Sequence, residues 1–296
     1  MPPWPTLSRA TPGRLAAASL VVLAWWLAGP FASVAAADDY TPVEEWQGED
    51  GLSGNDIYDR VIDNRFDAST QLLSMSSKDR GSHRQYVELE VKYMRGAEGS
   101  DVTSRSIAKY TRPIDLLHMG YLVINKRTGP NDQFVYRPST RNVRRINART
   151  EAISGTDFTL EDVVPQEAED ADHFRMADTE YKGKPAWVVT VVPHEDTRSM
   201  YSRFVVTIEK ERAVPLETDY WDDRGVHIKQ LRADPRSIEA FTSEQDGAEK
   251  RIYVVRRSKM MHLKRASQTV LNVLHFEPSP ALSDRDFSQR ELTAGR

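Results

Sequence analysis

No cysteine occurs among the 296 residues, and that absence removes a good deal of chemistry at once. Thiolate catalysis, cysteine zinc sites and disulfide staples are excluded. So is a lipoprotein leader, which needs a cysteine to carry its acyl chains. A strong excess of one charge is missing too. The formal net charge is −4, so the chain as a whole is not built for nucleic acid or another polyanion. Glycine-rich phosphate loops, a GxSxG elbow and an HExxH motif are also lacking, which leaves nucleotide binding and acyl hydrolysis without a local warrant. The seven histidines, at 83, 118, 173, 194, 227, 262 and 275, stand singly with no i,i+4 pair. No catalytic residue, metal or cofactor is expected, and the chain reads as a non-enzyme. Acid pairs such as Asp222 with Asp223 or Glu161 with Asp162 could in principle serve a glycosidase, but the pairing is weak evidence, because spacing across the fold decides such chemistry and solvated acids are common.

Long apolar runs are scarce. The one that stands out, Leu15 to Leu27, is shorter than the ~20 residues that span a bilayer. It follows Arg9 and Arg14 and leads into Ala35-Ala36-Ala37, the order of a secretory signal peptide with its cleavage site. Residues 1–37 are therefore expected to be removed, leaving 259 residues with formal charge −6, no membrane span and a periplasmic destination. The next stretch, 38–52, is acidic and without period, so it reads as an extended arm. A single domain is expected over 53–296, since no internal repeat or low-complexity linker interrupts it.

Within that domain Ser53, with Asp56 three residues on, is an N-cap signature. The spacing of Ile57, Val61 and Phe66 extends it to a helix over about Gly54 to Leu73. From residue 84 the period becomes two. In "YVELEVKYM" Val87, Leu89, Val91 and Tyr93 alternate with Glu88, Glu90 and Lys92, the pattern of a half-buried antiparallel strand. Ten further runs of that kind follow: "RSIAKYT", "GYLVINK", "DQFVYRP", "NVRRIN", "AWVVTVVP", "SRFVVTIEK", "LETDYWD", "VHIKQL", "RIYVVR" and "TVLNVLHFE". Turn residues separate them at distances too short for parallel crossovers. Short helices are expected at "TLEDVVPQ" and "SDRDFSQREL". The fold class is mainly β with a few helices: an up-and-down meander that must curl into an incomplete, strongly curved antiparallel β-barrel plugged by helices.

One stretch departs from the rest. Arg137, Arg141, Arg144, Arg145 and Arg149 occur with no acid between them, on a hairpin turning at "RPSTRN". Period two puts Val143 with Arg145 on one face and Arg144 with Ile146 on the other. Two readings stay open. The arginines either bridge to Asp157, Glu161 or Asp162 as an internal clasp, or meet an anionic head group or acidic partner through their bidentate forks.

The run "FVYRPSTRNVRRINARTEAISGTDFTLEDV", with "YSRFVVTIEKERAVPLETDYWDDRGVHIKQL" and "DRDFSQREL", resembles the outer-membrane lipoprotein-sorting-like (LolA-like) family of periplasmic proteins over roughly residues 53 to 292. The matching motif positions are Tyr136, Pro138, Arg144, Arg145, Gly155, Asp157, Phe158 and Asp162. The resemblance implies a carrier of a lipid or lipoprotein acyl chain toward the outer membrane, served by an inner-membrane lipid exporter. A sensor or accessory adaptor is the alternative. Val87, Leu89, Val91, Tyr93, Ile107, Leu122, Phe134, Tyr136 and Trp187 are the candidates for an apolar cavity lining.

Overall fold

The computed structural model describes residues 46–147, 150–164 and 167–295, all within the compact unit Ala36–Arg296. The expected signal peptide, most of the acidic arm and Arg149 lie outside the described residues.

Helix α1 (Gly54–Asp63) starts where the sequence says. Ser53 accepts from the Asp56 amide, and the Asp56 carboxylate accepts from the Ser53 amide in return. It stops ten residues earlier than its apolar spacing suggested. Asn64 turns the chain, and Ala68–Lys78 forms strand β1 instead. Leu72 and Leu73, counted as helical, are held by pairing on both sides, so long-range ladder bonds override the local pattern.

Strands β2 (Arg84–Arg95), β3 (Val102–Arg112), β4 (Gly120–Lys126), β5 (Asp132–Arg137) and β6 (Asn142–Arg145) follow as a meander. A crossover with short 3-10 turns leads to β7 (Ala171–Tyr181), β8 (Lys184–Pro193), β9 (Arg203–Glu209), β10 (Val214–Trp221) and β11 (His227–Ala233). A separate hairpin, β12 (Ile238–Gln245) with β13 (Ala248–Val255), precedes β14 (Arg257–His262), β15 (Ser267–Pro278) and helix α2 (Gln289–Thr293). The thirteen-stranded sheet is ordered β6-β5-β4-β3-β2-β1-β15-β14-β11-β10-β9-β8-β7. The expected simple meander is thus corrected. It is broken where the first strand pairs with the last, a join that no turn signal announces. The antiparallel class stands, and the sheet is not closed into a barrel.

Its curvature follows from simple distances. Helix α1 packs on β7 and β8, yet just beyond its end the Arg65 guanidinium sits 5.4 Å from the Tyr93 ring of β2. Seven strand steps separate β2 from β8 in the sheet order. Laid flat they would span about 34 Å at ~4.8 Å per step, whereas a ten-residue helix is about 15 Å long. Only a curled sheet brings both within reach.

The two faces have different partners. The inner face carries Leu73, Met75, Leu89, Val91, Tyr110, Tyr121, Val189, Phe204 and Met260, packed against Ile57 and Tyr58 of α1 and against Ile153, Phe158 and Leu160 of the crossover. On the outer face of β3 to β5, Ile107 and Leu122 pack under Phe287 and Leu292 of the C-terminal segment. There Lys109 donates to the carbonyls of Glu291 and Ala294, 2.8 and 2.7 Å away, satisfying the end of α2 with a cation.

Candidate functional site

The inner face is mostly apolar, but three charged or titratable side chains on it decide what covers it. Alternation along β11 puts Lys229 on the same side as Leu231, and its side chain is 3 % exposed. Its ammonium lies 3.1 Å from the Asp162 carboxylate, whose side chain is fully buried, and 2.9 Å from the Tyr201 hydroxyl. That hydroxyl in turn donates to Asp162 at 2.6 Å. Burial, followed by the Asp162 charge, pushes the Tyr201 phenol well above its ordinary value, so the hydroxyl stays neutral, accepting from Lys229 and donating to Asp162.

Asp162 arrives on the crossover segment Glu151 to Val163, which lies over the inner face and is tied along its length. Tyr110 of β3 accepts from the Ser154 amide. The Asp157 carboxylate accepts from Ser267 at 2.5 Å and Thr269 of β15 at 2.8 Å, and the Asp157 amide donates back to Thr269. Glu161 accepts from the Ser199 hydroxyl and the Met200 amide. Gly155 has φ +70°, a left-handed conformation that favours glycine, and the Gln85 side-chain amide lies against it. Phe158 and Leu160 fill the apolar interior beneath. The segment is a plug fastened by polar clasps to both halves of the sheet.

At the other side of the interior Arg175 of β7 is fully buried. It donates to the Asp50 and Asp178 carboxylates and to the Leu52 carbonyl, and its guanidinium faces the Trp46 ring. Asp50 also accepts from the Trp187 indole at 3.0 Å. The Arg175 hydrogen bond, outweighing desolvation, holds the Asp50 carboxyl well below the usual range. The described tail of the acidic arm, Trp46 to Leu52, therefore packs on the sheet because a buried guanidinium needs its carboxylate.

Next to Arg175 on β7, His173 stacks on Tyr58 at 4.2 Å and faces Asn55 at 3.0 Å. Burial holds its imidazole down to about 4.

The motif positions divide between these surroundings. Gly155, Asp157, Phe158 and Asp162 belong to the plug. Tyr136 lies on the outer face among residues packed against the C-terminal segment, and Pro138 is in the hairpin turn. Arg144 and Arg145 are exposed on opposite faces of β6, as the alternation predicted. Neither reaches the acids proposed for it. Arg145 pairs with Asp132 at 2.9 Å, Arg137 with Glu151 at 3.1 Å, and Arg141 and Arg144 form no ion pair among the described residues. Asp157, Glu161 and Asp162 are taken by hydroxyls, amides and Lys229 instead.

The nine candidate lining residues do not share one surface. Val87, Leu89, Val91, Tyr93 and Trp187 face inward, while Ile107, Leu122, Phe134 and Tyr136 lie on the other side of the sheet under the C-terminal segment. None of them lines the cleft of about 900 Å³ between the end of α1, the β2–β3 turn and the tip of the β12–β13 hairpin. That cleft is crossed by ion pairs, Arg65 with Glu167 at 3.0 Å and Arg95 with Asp67 at 3.2 Å. Among the described residues no cluster of histidines and carboxylates is arranged to hold a metal, and no helix is long and apolar enough to cross a membrane.

Sequence reasoning missed Lys229, Tyr201, Thr269, Arg175 and Asp50. For Lys229 a signal existed, because strict alternation in "VHIKQL" sets it opposite Ile228 and beside Leu231. For Arg175 the alternation misleads. Phe174 and Met176 face outward while His173 and Arg175 face in.

An open, curled antiparallel sheet with a helix and a crossover plug on its inner face is a LolA-like fold. Solved structures agree. An outer membrane lipoprotein-sorting protein domain, so assigned, from Vibrio parahaemolyticus aligns with TM-score 0.69 at 20% identity, covering 81% of this chain and 98% of that one. A DUF1329 family protein from Desulfovibrio piger aligns with TM-score 0.70 at 21% identity, covering 81% and 97%. A LolA superfamily protein from Nitrosomonas europaea gives 0.61 at 15%, covering 81% and 99%. At these identities they establish the fold. No curated protein matches in sequence. The model of a family described as an uncharacterised protein matches residues 103–294, and the chain belongs to that family.

Four outcomes are expected. Lys229→Ala strands the Asp162 charge and lowers unfolding free energy by about 3–5 kcal/mol in urea titration. Lys229→Met with Asp162→Leu recovers much of that loss. Arg144→Ala with Arg145→Ala changes stability by less than about 0.5 kcal/mol, since Arg144 is exposed with no ion pair among the described residues and Arg145 holds a surface pair. Finally, His173 has a folded-state value below the unfolded one, so the unfolded chain binds more protons between the two. Its contribution is complete above about pH 6.5 and is lost progressively toward pH 4. His173→Phe should therefore flatten the fall in stability over that window, which amounts to up to about 3 kcal/mol.

Proposed function

We propose that this protein is a periplasmic carrier that shelters the acyl chain of a lipid or lipoprotein against the inner face of its sheet, without covalent chemistry. Cargo passes from an inner-membrane lipid exporter toward the outer membrane. The observation that carries the proposal is the continuous apolar inner face of a thirteen-stranded sheet, covered by a loop segment held through polar clasps rather than by further strands. The fold shared with a protein assigned to outer-membrane lipoprotein sorting supports it.

The energetics suit exchange. Exposing Ile153, Phe158 and Leu160 costs about 5–9 kcal/mol at roughly 1.5–3 kcal/mol for each side chain, and burying about twelve methylenes at ~0.8 kcal/mol each returns about 10. On apolar area alone plug and acyl chain are near-equal competitors for one surface, and the buried Lys229–Asp162 pair, which costs several kcal/mol more to break, favours the plug until a partner opens it. In this reading Val87, Leu89, Val91, Tyr93 and Trp187 meet the chain. Ile107, Leu122, Phe134 and Tyr136 seat the C-terminal segment.

The test is uptake of a fluorescent fatty-acyl probe, alongside mass spectrometry of a solvent extract from protein purified from the periplasm. The native protein is expected to yield stoichiometric lipid. Asp157→Ala, which frees the plug from Ser267 and Thr269, is expected to take up the probe faster. Absence of both bound lipid and saturable uptake would overturn the carrier reading. Lipid-free protein retained on an exporter would favour the adaptor.

A further inference from the structure

We propose that one end of the sheet, formed by the β5–β6, β3–β4, β1–β2 and β14–β15 turns, docks on the surface of an anionic phospholipid bilayer. Strand directions place these four turns together. Lys78 of β1 pairs with Gln268 of β15, Arg112 of β3 pairs with Glu88 of β2, and Gly120 of β4 pairs with Tyr136 of β5, so each turn leaves the same end of the sheet. Because β5, β4, β3, β2, β1, β15 and β14 are consecutive neighbours, the turns form an unbroken rim.

Two features of that rim point to a membrane surface. The first is apolar: Ile114 at the β3–β4 turn is 82 % exposed, the most exposed large hydrophobic among the described residues, and Leu263 at the β14–β15 turn is 45 % exposed. Each stands at the tip of a separate turn rather than in a groove, a placement suited to dipping single side chains into an acyl layer and not to gripping a helix or strand. The second is charge. Within the turns lie Arg80, Arg141, Lys264 and Arg265, and Lys78, Arg84, Arg112 and Arg137 border them, all exposed. Asp79 and Asp115 are the acids on the same turns and bordering positions. A chain with net charge −4 thus concentrates eight cations against two acids along one rim.

Some of those cations are neutralised from neighbouring elements. Arg112 pairs with Glu88, Arg137 with Glu151 and Lys264 with Asp222. Lys78, Arg80, Arg84, Arg141 and Arg265 form no ion pair among the described residues. Exposed cations of this kind are drawn to the negative surface potential of anionic lipids, within a Debye length of the bilayer. The adjoining β10–β11 turn is different, because there Asp222 and Asp223 outweigh Arg224 beside the exposed Val226. The rim therefore ends at β14.

The inference goes beyond the carrier reading and stands apart from it, since docking requires no cargo. Co-sedimentation of the whole protein with vesicles of phosphatidylglycerol mixed with phosphatidylcholine, against phosphatidylcholine alone, tests it directly. Binding is expected on the mixed vesicles and to weaken with added salt. Arg80→Ala/Arg84→Ala/Arg141→Ala and, separately, Ile114→Asn/Leu263→Asn are each expected to reduce it by about tenfold or more. All five positions are exposed, and an unchanged thermal melt shows that the fold is kept. Failure of the native protein to bind the mixed vesicles, equal binding to phosphatidylcholine alone, or native-like binding by both variants would overturn the proposal. Acyl-probe uptake that persists in the variants separates loss of docking from loss of the cavity.

Discussion

Lys229 stands on the inner side of a strand whose neighbours there are apolar, and an ammonium in such a place is tolerable only with a carboxylate beside it. The sheet has no acid of its own in position. The partner comes from the crossover, and that requirement draws Glu151 to Val163 across the interior and fixes where Phe158 and Leu160 lie. Arg175 imposes the same demand at the far side. Buried without exposure on β7, it takes Asp50 from the segment ahead of α1 and so determines that Trp46 to Leu52 lies against the sheet. Two buried cations on one face thus decide the paths of two segments that add no strand to the sheet.

Those clasps account for an interior that is covered but not sealed by strands. The edges β6 and β7 are left unpaired with each other, and the space a closing barrel would fill is occupied by α1, the plug and part of the β12–β13 hairpin. The cover is held by a few ion pairs and hydroxyl bonds rather than by a ladder. On the outer face Phe287 and Leu292 cover the apolar patch over β3 to β5, and α2 is capped by Lys109.

The arginine-rich hairpin illustrates how far local reasoning reaches. Alternation correctly put Arg144 and Arg145 on opposite faces, because side-chain direction in a strand depends only on parity. It also proposed Asp157, Glu161 and Asp162 as their partners, since those acids are close in sequence. The acids belong instead to Ser267, Thr269, Ser199, Tyr201 and Lys229, residues 38 to 112 positions away. Which charges meet is settled by how the sheet curls, and that curvature has no local signature.

The same division runs through the molecule. Most strands, the capped start of α1 and the antiparallel class were legible because period, capping chemistry and turn residues act over a few neighbours. Strands β1, β7, β12 and β14 were not, as their ladder partners rather than their own patterns hold them extended. The pairing of β1 with β15, the inward face of Arg175 and the split of the candidate lining between two surfaces came only from the tertiary structure. Each depends on segments far apart in the chain competing for one apolar face, and the outcome is fixed by the whole packed arrangement.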